Sequence, residues 1–320
     1  MSKPSLLITR KLPANVEARI QRDYEGIFNP EDRLYSSEEL IEYSGRADAI
    51  LPCHTEHFSA DVIRRLPDRI RAIANFSVGV DHCDLDAARQ KGIVVTNTPD
   101  VLTDATAELT MLLILGAARR ASEGERLIRS GQWNTWSPAF MVGTQVTGKR
   151  LGIIGMGRVG QVTARRARGF DMEIHYYNRR RLDRAAENGA TYHENLDTLL
   201  PLSDFLALHC PNLPETHDLL NAERINRLPD GAIVVNSARG AVVDEDALID
   251  ALKSGKLAAA GLDVYKNEPA IRPDFAELDN IFLLPHVGSA TRETRDAMGF
   301  RALDNLDAIF AGKEPKDRVA

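Results

Sequence analysis

Three side chains in the last third of this 320-residue chain are of types that, acting together, can reduce a carbonyl beside a carboxylate. They are Arg239 in Asn236-Ser237-Ala238-Arg239-Gly240, Glu268 in Asn267-Glu268-Pro269, and His286 in Leu284-Pro285-His286-Val287-Gly288. A guanidinium fork grips a carboxylate through two parallel hydrogen bonds. An imidazole carries a transferable proton near neutral pH, and a neighbouring carboxylate favours its protonated form. Hydride transfer to a 2-keto acid needs that set: a cation for the carboxylate, an acid for the carbonyl oxygen, and a group that sets the acid's pKa. Singly, each residue is also ordinary, since an Arg after a strand is usually on the surface, a Glu before Pro often sits in a turn, and a lone His is often structural.

A dinucleotide that would supply the hydride has its own signature upstream. An apolar strand over 150–154 leads into Gly155-Met156-Gly157-Arg158-Val159-Gly160, a G-x-G-x-x-G ahead of a helix expected over 161–169. In such a motif the first glycine permits the tight turn, the second lets backbone approach a pyrophosphate, and the third lets helix pack on strand, with the helix N-terminus facing the phosphates. A bare glycine motif also arises as a turn without ligand; the strand, helix and next strand in register give it weight. That next strand ends Tyr176-Tyr177-Asn178, where an NAD site usually places Asp or Glu on the ribose hydroxyls, about 20 residues past the glycines. Here the acid is missing, and Arg179, Arg180 and Arg181 follow. Guanidinium groups suit a 2′-phosphate better than a free hydroxyl. The expected cofactor is therefore NADP(H), with NAD(H) possible, held in part by Asn178, Arg179 and Arg180; the alternative is that these arginines coat a solvated turn.

The elements that must position these residues alternate as strand and helix from the start. Strands are expected at 5–9, 47–51, 71–74 and 93–96, with helices at 14–23 and 60–66, the rhythm of a parallel sheet. Asn97-Thr98-Pro99-Asp100 interrupts it, because a residue before Pro is pushed out of helix, and a domain boundary near 100 follows. A helix over 103–120, apolar around most of its circumference, should be buried. The irregular stretch 130–148, with Trp133 and Trp136, precedes a second series of six strands, at 150–154, 172–177, 205–209, 232–236, 258–262 and 281–284, which suits a doubly wound sheet. A last amphipathic helix is expected over 290–311. Arg239, Glu268 and His286 all lie beyond strand carboxyl ends, where open α/β sheets bind ligands.

Composition sets the outer limits. A chain of this length calls for about two domains, and 43% apolar with 27% charged residues is ordinary for a globular protein. The net charge of −6 speaks against nucleic-acid binding, which needs a surplus of Lys and Arg on one face. No stretch is long enough for a signal peptide or a membrane span. Cys53, Cys83 and Cys210 are odd in number and widely spaced, so neither a disulfide framework nor a zinc site is suggested, and a reducing cytoplasm is expected.

Taken together, these residues resemble the D-isomer-specific 2-hydroxyacid dehydrogenase family over nearly the whole chain. The resemblance extends to Phe76-Ser77-Val78-Gly79-Val80-Asp81-His82, to the run from Thr98 to Glu108, and to Gly261-Leu262-Asp263-Val264-Tyr265. Within the family the Thr98–Glu108 wording and Trp133 to Pro138 look most like glyoxylate/hydroxypyruvate reductases. The resemblance implies two Rossmann-like or flavodoxin-like α/β domains with doubly wound parallel sheets and an active site in the cleft between them. Residues 1–100 plus 288–320 would form the substrate domain and 101–287 the dinucleotide domain, with hinges near 100 and 288. Arg239 would hold the carboxylate and keto oxygen, His286 would protonate that oxygen, and Glu268 would bind the imidazole. The backbone N–H groups of Val78 and Gly79 would bind the carboxylate, as an anion nest does, and Leu51 to His54 would line the substrate side. Further cofactor contacts fall on Cys210, Pro211, Thr216, Ser237, Ala238, Arg239, His286 and Gly288. Asp263 would orient the carboxamide edge, a buried structural role being the other reading. Family members are dimers through the cofactor domain, which assigns 103–136 to a homodimer contact; Trp136 would either pack there or reach the partner's substrate pocket.

Two rivals remain at this level. A 2-ketogluconate reductase, or a reductase of another small 2-keto acid, has the same Arg, Glu and His. The fold also serves as a dinucleotide-sensing binding protein, against which the intact acid–base pair argues.

Overall fold

Short aliphatic runs, most followed by an amphipathic stretch, build two parallel sheets. In the computed structural model, which describes residues 3–320, the elements run β1 (Ser5–Ile8), α1 (Ala14–Asp23), β2 (Glu25–Ile27), α2 (Ser37–Ser44), β3 (Ala49–Leu51), α3 (Ala60–Arg65), β4 (Ala72–Ala74), α4 (Leu85–Lys91), β5 (Val94–Thr96), α5 (Thr103–Ala118), α6 (Ala121–Arg129), β6 (Arg150–Ile154), α7 (Arg158–Ala167), β7 (Glu173–Tyr177), α8 (Arg184–Glu187), β8 (Thr191–His193), α9 (Leu196–Leu199), β9 (Phe205–Leu208), α10 (Ala222–Arg227), β10 (Ala232–Asn236), α11 (Glu245–Ser254), β11 (Leu257–Leu262), α12 (Asp274–Glu277), β12 (Ile281–Leu283) and α13 (Arg292–Phe310). Contacts divide the chain into two units, Met1–Leu102 with Ala290–Ala320, and Thr103–Ser289. Met1 and Ser2 lie outside the described residues.

The first unit carries a five-stranded sheet in the order β2-β1-β3-β4-β5, every pairing parallel. Period-two alternation assigns its side chains to two faces. Leu6, Ile8, Ala49, Leu51 and Ala74 pack with Val16 and Ile20 of α1 and Leu303 and Leu306 of α13. Leu7, Ile50, Ile73 and Val95 pack with Leu40, Val62, Ile63 and Ala88 on the other side. Both faces are covered, as parallel sheets require. Helix starts are set by side chains that accept first-turn N–H groups: Ser36 in a capping box with Glu39, Ser59, Asp84 and Thr291, each contributing about 0.5–2 kcal/mol.

The second unit carries seven strands in the order β12-β11-β10-β9-β6-β7-β8, again all parallel. The topological switch falls between β9 and β6, where chain direction across the sheet reverses. One face packs on α5, whose Met111, Leu113, Ile114 and Ala117 meet Leu151, Ile153, Phe205, Ile233 and Val235. The opposite face packs on α9 to α11 through Ile225, Leu248 and Leu252.

Three expectations are corrected. The second sheet has a seventh strand, β8, and the first has an additional edge strand, β2; both are three residues long and largely polar, Thr191-Tyr192-His193 and Glu25-Gly26-Ile27, so no apolar run announces them. Helix α7 begins at Arg158, inside the glycine motif and not after it, because Gly157 already serves as its N-cap. Leu51, assigned to the substrate side, is fully buried in the core packed on α1 and α13, so its side chain is a packing residue and not a ligand contact.

Candidate active site

In the second unit, the glycine turn is shaped by close backbone approach. Gly155 has φ +97°, and a Cβ there would lie 2.6 Å from the His209 carbonyl carbon, while one on Gly160 would lie 2.4 Å from the Gly155 oxygen. Any side chain would push β6, β9 and α7 apart. A Cβ on Gly157 would meet open space. Helix α7 has no side-chain cap at its N-terminus and no acid in its first turn, so its first N–H groups are not satisfied by a cap and suit an anion. Met156 is buried and Val159 half-buried, whereas Gly157 and Arg158 are exposed.

At the end of β7, Asn178 Oδ1 accepts the Met156 N–H at 2.7 Å. Its carboxamide oxygen thus braces the glycine turn. Arg179 and Arg180 are exposed, and Arg179 Nη1 lies 3.0 Å from Glu215 Oε1. Arg181 turns back on Glu187 through both Nε and Nη2, at 2.7 and 3.1 Å, and Tyr176 donates to the same carboxylate at 2.8 Å. That third arginine closes the turn before α8. After β9, the Cys210 side chain is buried in the core, so it offers a ligand its backbone and not its thiol; Pro211 is exposed. The Thr216 hydroxyl donates to the Pro211 carbonyl at 2.6 Å and accepts the Leu213 N–H at 2.7 Å, closing the 211–216 turn.

Three neighbouring strands carry the acid–base residues. Asn236, the last residue of β10, braces the following turn: its Nδ2 donates to the Arg239 carbonyl at 2.9 Å and its Oδ1 accepts the Ala238 N–H at 3.0 Å. Ser237 Oγ lies 2.8 Å from Thr110 Oγ1, tying that turn to α5. Gly240 has no alternative, since a Cβ there would fall 1.9 Å from the Tyr265 carbonyl carbon; the close approach brings the Arg239 turn onto the Tyr265–Glu268 turn. Arg239 itself is half-buried, with Nη1 donating to the Ala238 carbonyl at 2.8 Å.

After β11, Glu268 Oε1 accepts the Tyr265 N–H at 2.8 Å, and Oε2 lies 2.5 Å from His286 Nδ1. An ionised carboxylate only accepts, so Nδ1 is the protonated nitrogen of the pair. His286 has φ 54°, in the left-handed region that non-glycine residues seldom occupy. Its loop is held there by Asp263, whose two carboxylate oxygens each take one backbone N–H, from Val287 and from Gly288, both at 2.8 Å. Asp263 is 1% exposed, and burial raises its carboxyl above the usual carboxylate range, against the opposing pull of the Val287 N–H, the His286 charge and the Gly288 N–H. Asn236, Thr110 and Asp263 act through their neighbours. Of these, sequence reading singled out only Asp263, because the partners of the other two lie more than a hundred residues away or in an unremarkable turn.

In the first unit, the segment after β4 is braced from within. Thr98 N–H donates to the Ser77 carbonyl at 2.9 Å, Asn97 Nδ2 to the Val78 carbonyl at 2.8 Å, and Ser77 Oγ to the Gly79 carbonyl at 2.7 Å. Three consecutive carbonyls are therefore engaged, while the N–H groups of Val78 and Gly79 donate to no acceptor among the described residues. Buried His82 fixes the segment's base through its Nε2, 2.8 Å from Asn75 Oδ1. Trp136 is 75% exposed on the 130–148 stretch of the second unit; nothing in the described chain covers it.

Comparison with known proteins places this geometry among dehydrogenases. Residues 111–288 match the family described as D-isomer specific 2-hydroxyacid dehydrogenase, NAD binding domain. The chain is 44% identical to a glycerate dehydrogenase of Hyphomicrobium methylovorum over 98% of each chain. It is 41% identical to a glyoxylate reductase of Pyrococcus furiosus, over 99% of this chain and 95% of that one. Among solved structures, an NADPH-dependent glyoxylate/hydroxypyruvate reductase from Sinorhizobium meliloti, in complex with NADP and malonate, is similar with a TM-score of 0.88 at 32% identity, covering 100% of this chain and 97% of that one.

Proposed function

Because the chain belongs to the D-isomer-specific 2-hydroxyacid dehydrogenase family, we propose that it reduces glyoxylate and hydroxypyruvate to glycolate and D-glycerate with a preference for NADPH. Membership makes it a nicotinamide-dependent oxidoreductase of small 2-keto and 2-hydroxy acids, of glyoxylate/hydroxypyruvate reductase type. The observation that carries the reading of the site is the Glu268–His286 pair, 2.5 Å apart beside the Arg239 turn at the carboxyl ends of adjacent strands.

The residues present fit a dinucleotide. The uncapped start of α7 and the open space at Gly157 suit a pyrophosphate, with Gly155 to Gly160, Asn178, Pro211, the backbone of Cys210, Ser237, Ala238 and Gly288 as the surrounding contacts. When bound, the nicotinamide supplies the hydride. On this reading Arg239 binds the substrate carboxylate and keto oxygen, and the N–H groups of Val78 and Gly79 take the carboxylate. His286, with Nδ1 directed at Glu268, holds its transferable proton at Nε2 for the keto oxygen. Asp263 keeps the His286 loop in place, so its role is to position the acid. Arg179 and Arg180, exposed at the end of β7, would take the 2′-phosphate, and the malonate and NADP bound by the Sinorhizobium reductase are of the ligand types this reading calls for.

The same reading makes the protein a cytoplasmic homodimer. Its three cysteines are free, and no helix of the described residues is long and apolar enough to cross a membrane. Oxidation of NADPH and of NADH with glyoxylate, hydroxypyruvate and 2-ketogluconate tests the function, with His286→Ala as control. Turnover of the first two with NADPH, lost about a hundredfold or more in the variant, is the expected result. Reaction with the sugar acid alone would reassign the substrate, and no turnover with any keto acid would return the protein to a binding role.

A further inference from the structure

The anion-binding reading of Val78 and Gly79 leaves open what keeps their N–H groups available. A flexible segment after a strand closes its own turns, N–H to carbonyl, and an N–H spent that way binds nothing. Here the carbonyls that would compete are removed one by one. The Ser77 carbonyl takes the Thr98 N–H, the Gly79 carbonyl takes the Ser77 hydroxyl, and the Val78 carbonyl takes the Asn97 carboxamide. Of the three donors, Asn97 is the one whose own backbone is held by the C-terminal segment. Its N–H donates to the Asp317 carbonyl at 3.2 Å and its carbonyl accepts from Asn305 Nδ2 at 3.4 Å.

Asp317 and Asn305 in turn form a closed set on the C-terminal segment. Asn305 Nδ2 donates to Asp317 Oδ2 at 2.9 Å, the Asp317 N–H donates to Asn305 Oδ1 at 3.2 Å, and Arg301 forks the same carboxylate at 2.5 and 2.8 Å. The Asp317 side chain is 4% exposed. This cluster, with the antiparallel bridge between Thr96 and Arg318, fixes the chain where β5 ends and Asn97 begins.

We propose that Asn97 is a positioning residue for the substrate carboxylate, its carboxamide holding the Val78 carbonyl so that the N–H groups of Val78 and Gly79 stay free for the ligand, with the Asp317–Asn305 pair anchoring Asn97. The inference rests on the carboxylate-binding role assigned above to that loop. Asn is the residue type the place requires. An acidic side chain would present an acceptor to a carbonyl, and an apolar one would leave that carbonyl to turn toward the loop's own N–H groups.

The test measures binding of oxamate, an unreactive 2-keto-acid analogue, to the full-length protein saturated with NADPH, alongside KM and kcat for glyoxylate. In Asn97→Ala, oxamate binding should weaken about tenfold, 1.4 kcal/mol, and KM should rise in proportion. The NADPH constant should stay within about twofold and kcat should change less than KM. Ser77→Ala, which frees the Gly79 carbonyl, should act in the same direction and guards against a folding defect peculiar to one variant. Oxamate and glyoxylate constants within twofold of wild type in both variants would overturn the proposal. So would parallel loss of oxamate and NADPH binding with a lowered Tm, which marks general destabilisation. If wild-type protein itself neither binds oxamate nor reduces a keto acid, the functional reading fails first and this inference falls with it.

Discussion

At the scale of single residues, the proposed cofactor choice turns on charges that the solvent reaches. Arg179 and Glu215 pair at 3.0 Å with side chains 71% and 55% exposed, and such surface pairs are worth about 0–1 kcal/mol. A 2′-phosphate brings more charge and more acceptor oxygens than Glu215, so it should displace that carboxylate from the guanidinium. Arg179→Ala is therefore expected to weaken NADPH binding about tenfold, the equivalent of one charge-assisted hydrogen bond, with little change for NADH. Glu215→Gln should do the reverse and tighten NADPH a few fold. Fluorescence titration of the two cofactors against both variants reads this directly, and equal constants for NADPH in wild type and Arg179→Ala would refute the preference. Arg181 plays no part in the comparison, because Glu187 holds its Nε and Nη2 and turns it back on α8.

At the scale of elements, the site depends on the alignment of β6 with β9, since the glycine turn and the Cys210 turn both leave that pair. Asp204, just before β9, takes the Arg150 N–H at 2.9 Å and its Nε and Nη2 at 3.0 and 2.6 Å. It therefore pins the two strands at their starts. The Arg150 guanidinium is the first cause that holds the Asp204 carboxyl below the usual carboxylate range, against desolvation. A depressed pKa in the folded state means stability that is present above the unfolded value and is lost as pH falls through the folded one. The pair is about a third exposed, so its contribution is discounted for solvent screening to about 1 kcal/mol. Asp204→Asn should lower stability by that amount at neutral pH, and urea unfolding of the two proteins should converge as pH drops below the ordinary carboxylate range. A gap that persists undiminished in acid would place the effect in packing and not in charge.

At the scale of the whole molecule, the second unit shows apolar side chains that its own core does not use. Leu112 in α5, Ile128 in α6, and Trp133, Trp136 and Val142 in the following stretch are 47%, 58%, 54%, 75% and 64% exposed. Exposed aromatic and aliphatic groups concentrated in one short part of a chain mark a contact surface more often than chance. A second copy is the occupant that the functional reading supplies. Sedimentation equilibrium at micromolar concentration should give twice the chain mass, and Ile128→Arg together with Trp133→Arg should give a monomer. A wild-type protein that sediments as a monomer would remove the dimer from the reading.

The sequence by itself determined the two parallel α/β sheets, because alternation and aliphatic runs specify strands buried on both faces whatever lies next to them. It placed β6 and β10 at 150–154 and 232–236 and α1 at 14–23 without a shift. It also marked the glycine turn, since no other residue type tolerates that approach, and the order in which Arg239, Glu268 and His286 leave their strands. Edge strands β2 and β8 escaped it, being short and polar and paired on one side alone. The tertiary structure alone decided which neighbours meet. It turned Leu51 into the core, committed the Thr216 hydroxyl and the Asn178 oxygen to backbone, gave both oxygens of Asp263 to the His286 loop, and brought Asn97 to the Val78 carbonyl. A side chain's type reports what it can bond; its partner depends on residues tens to hundreds of positions away, which no local pattern records.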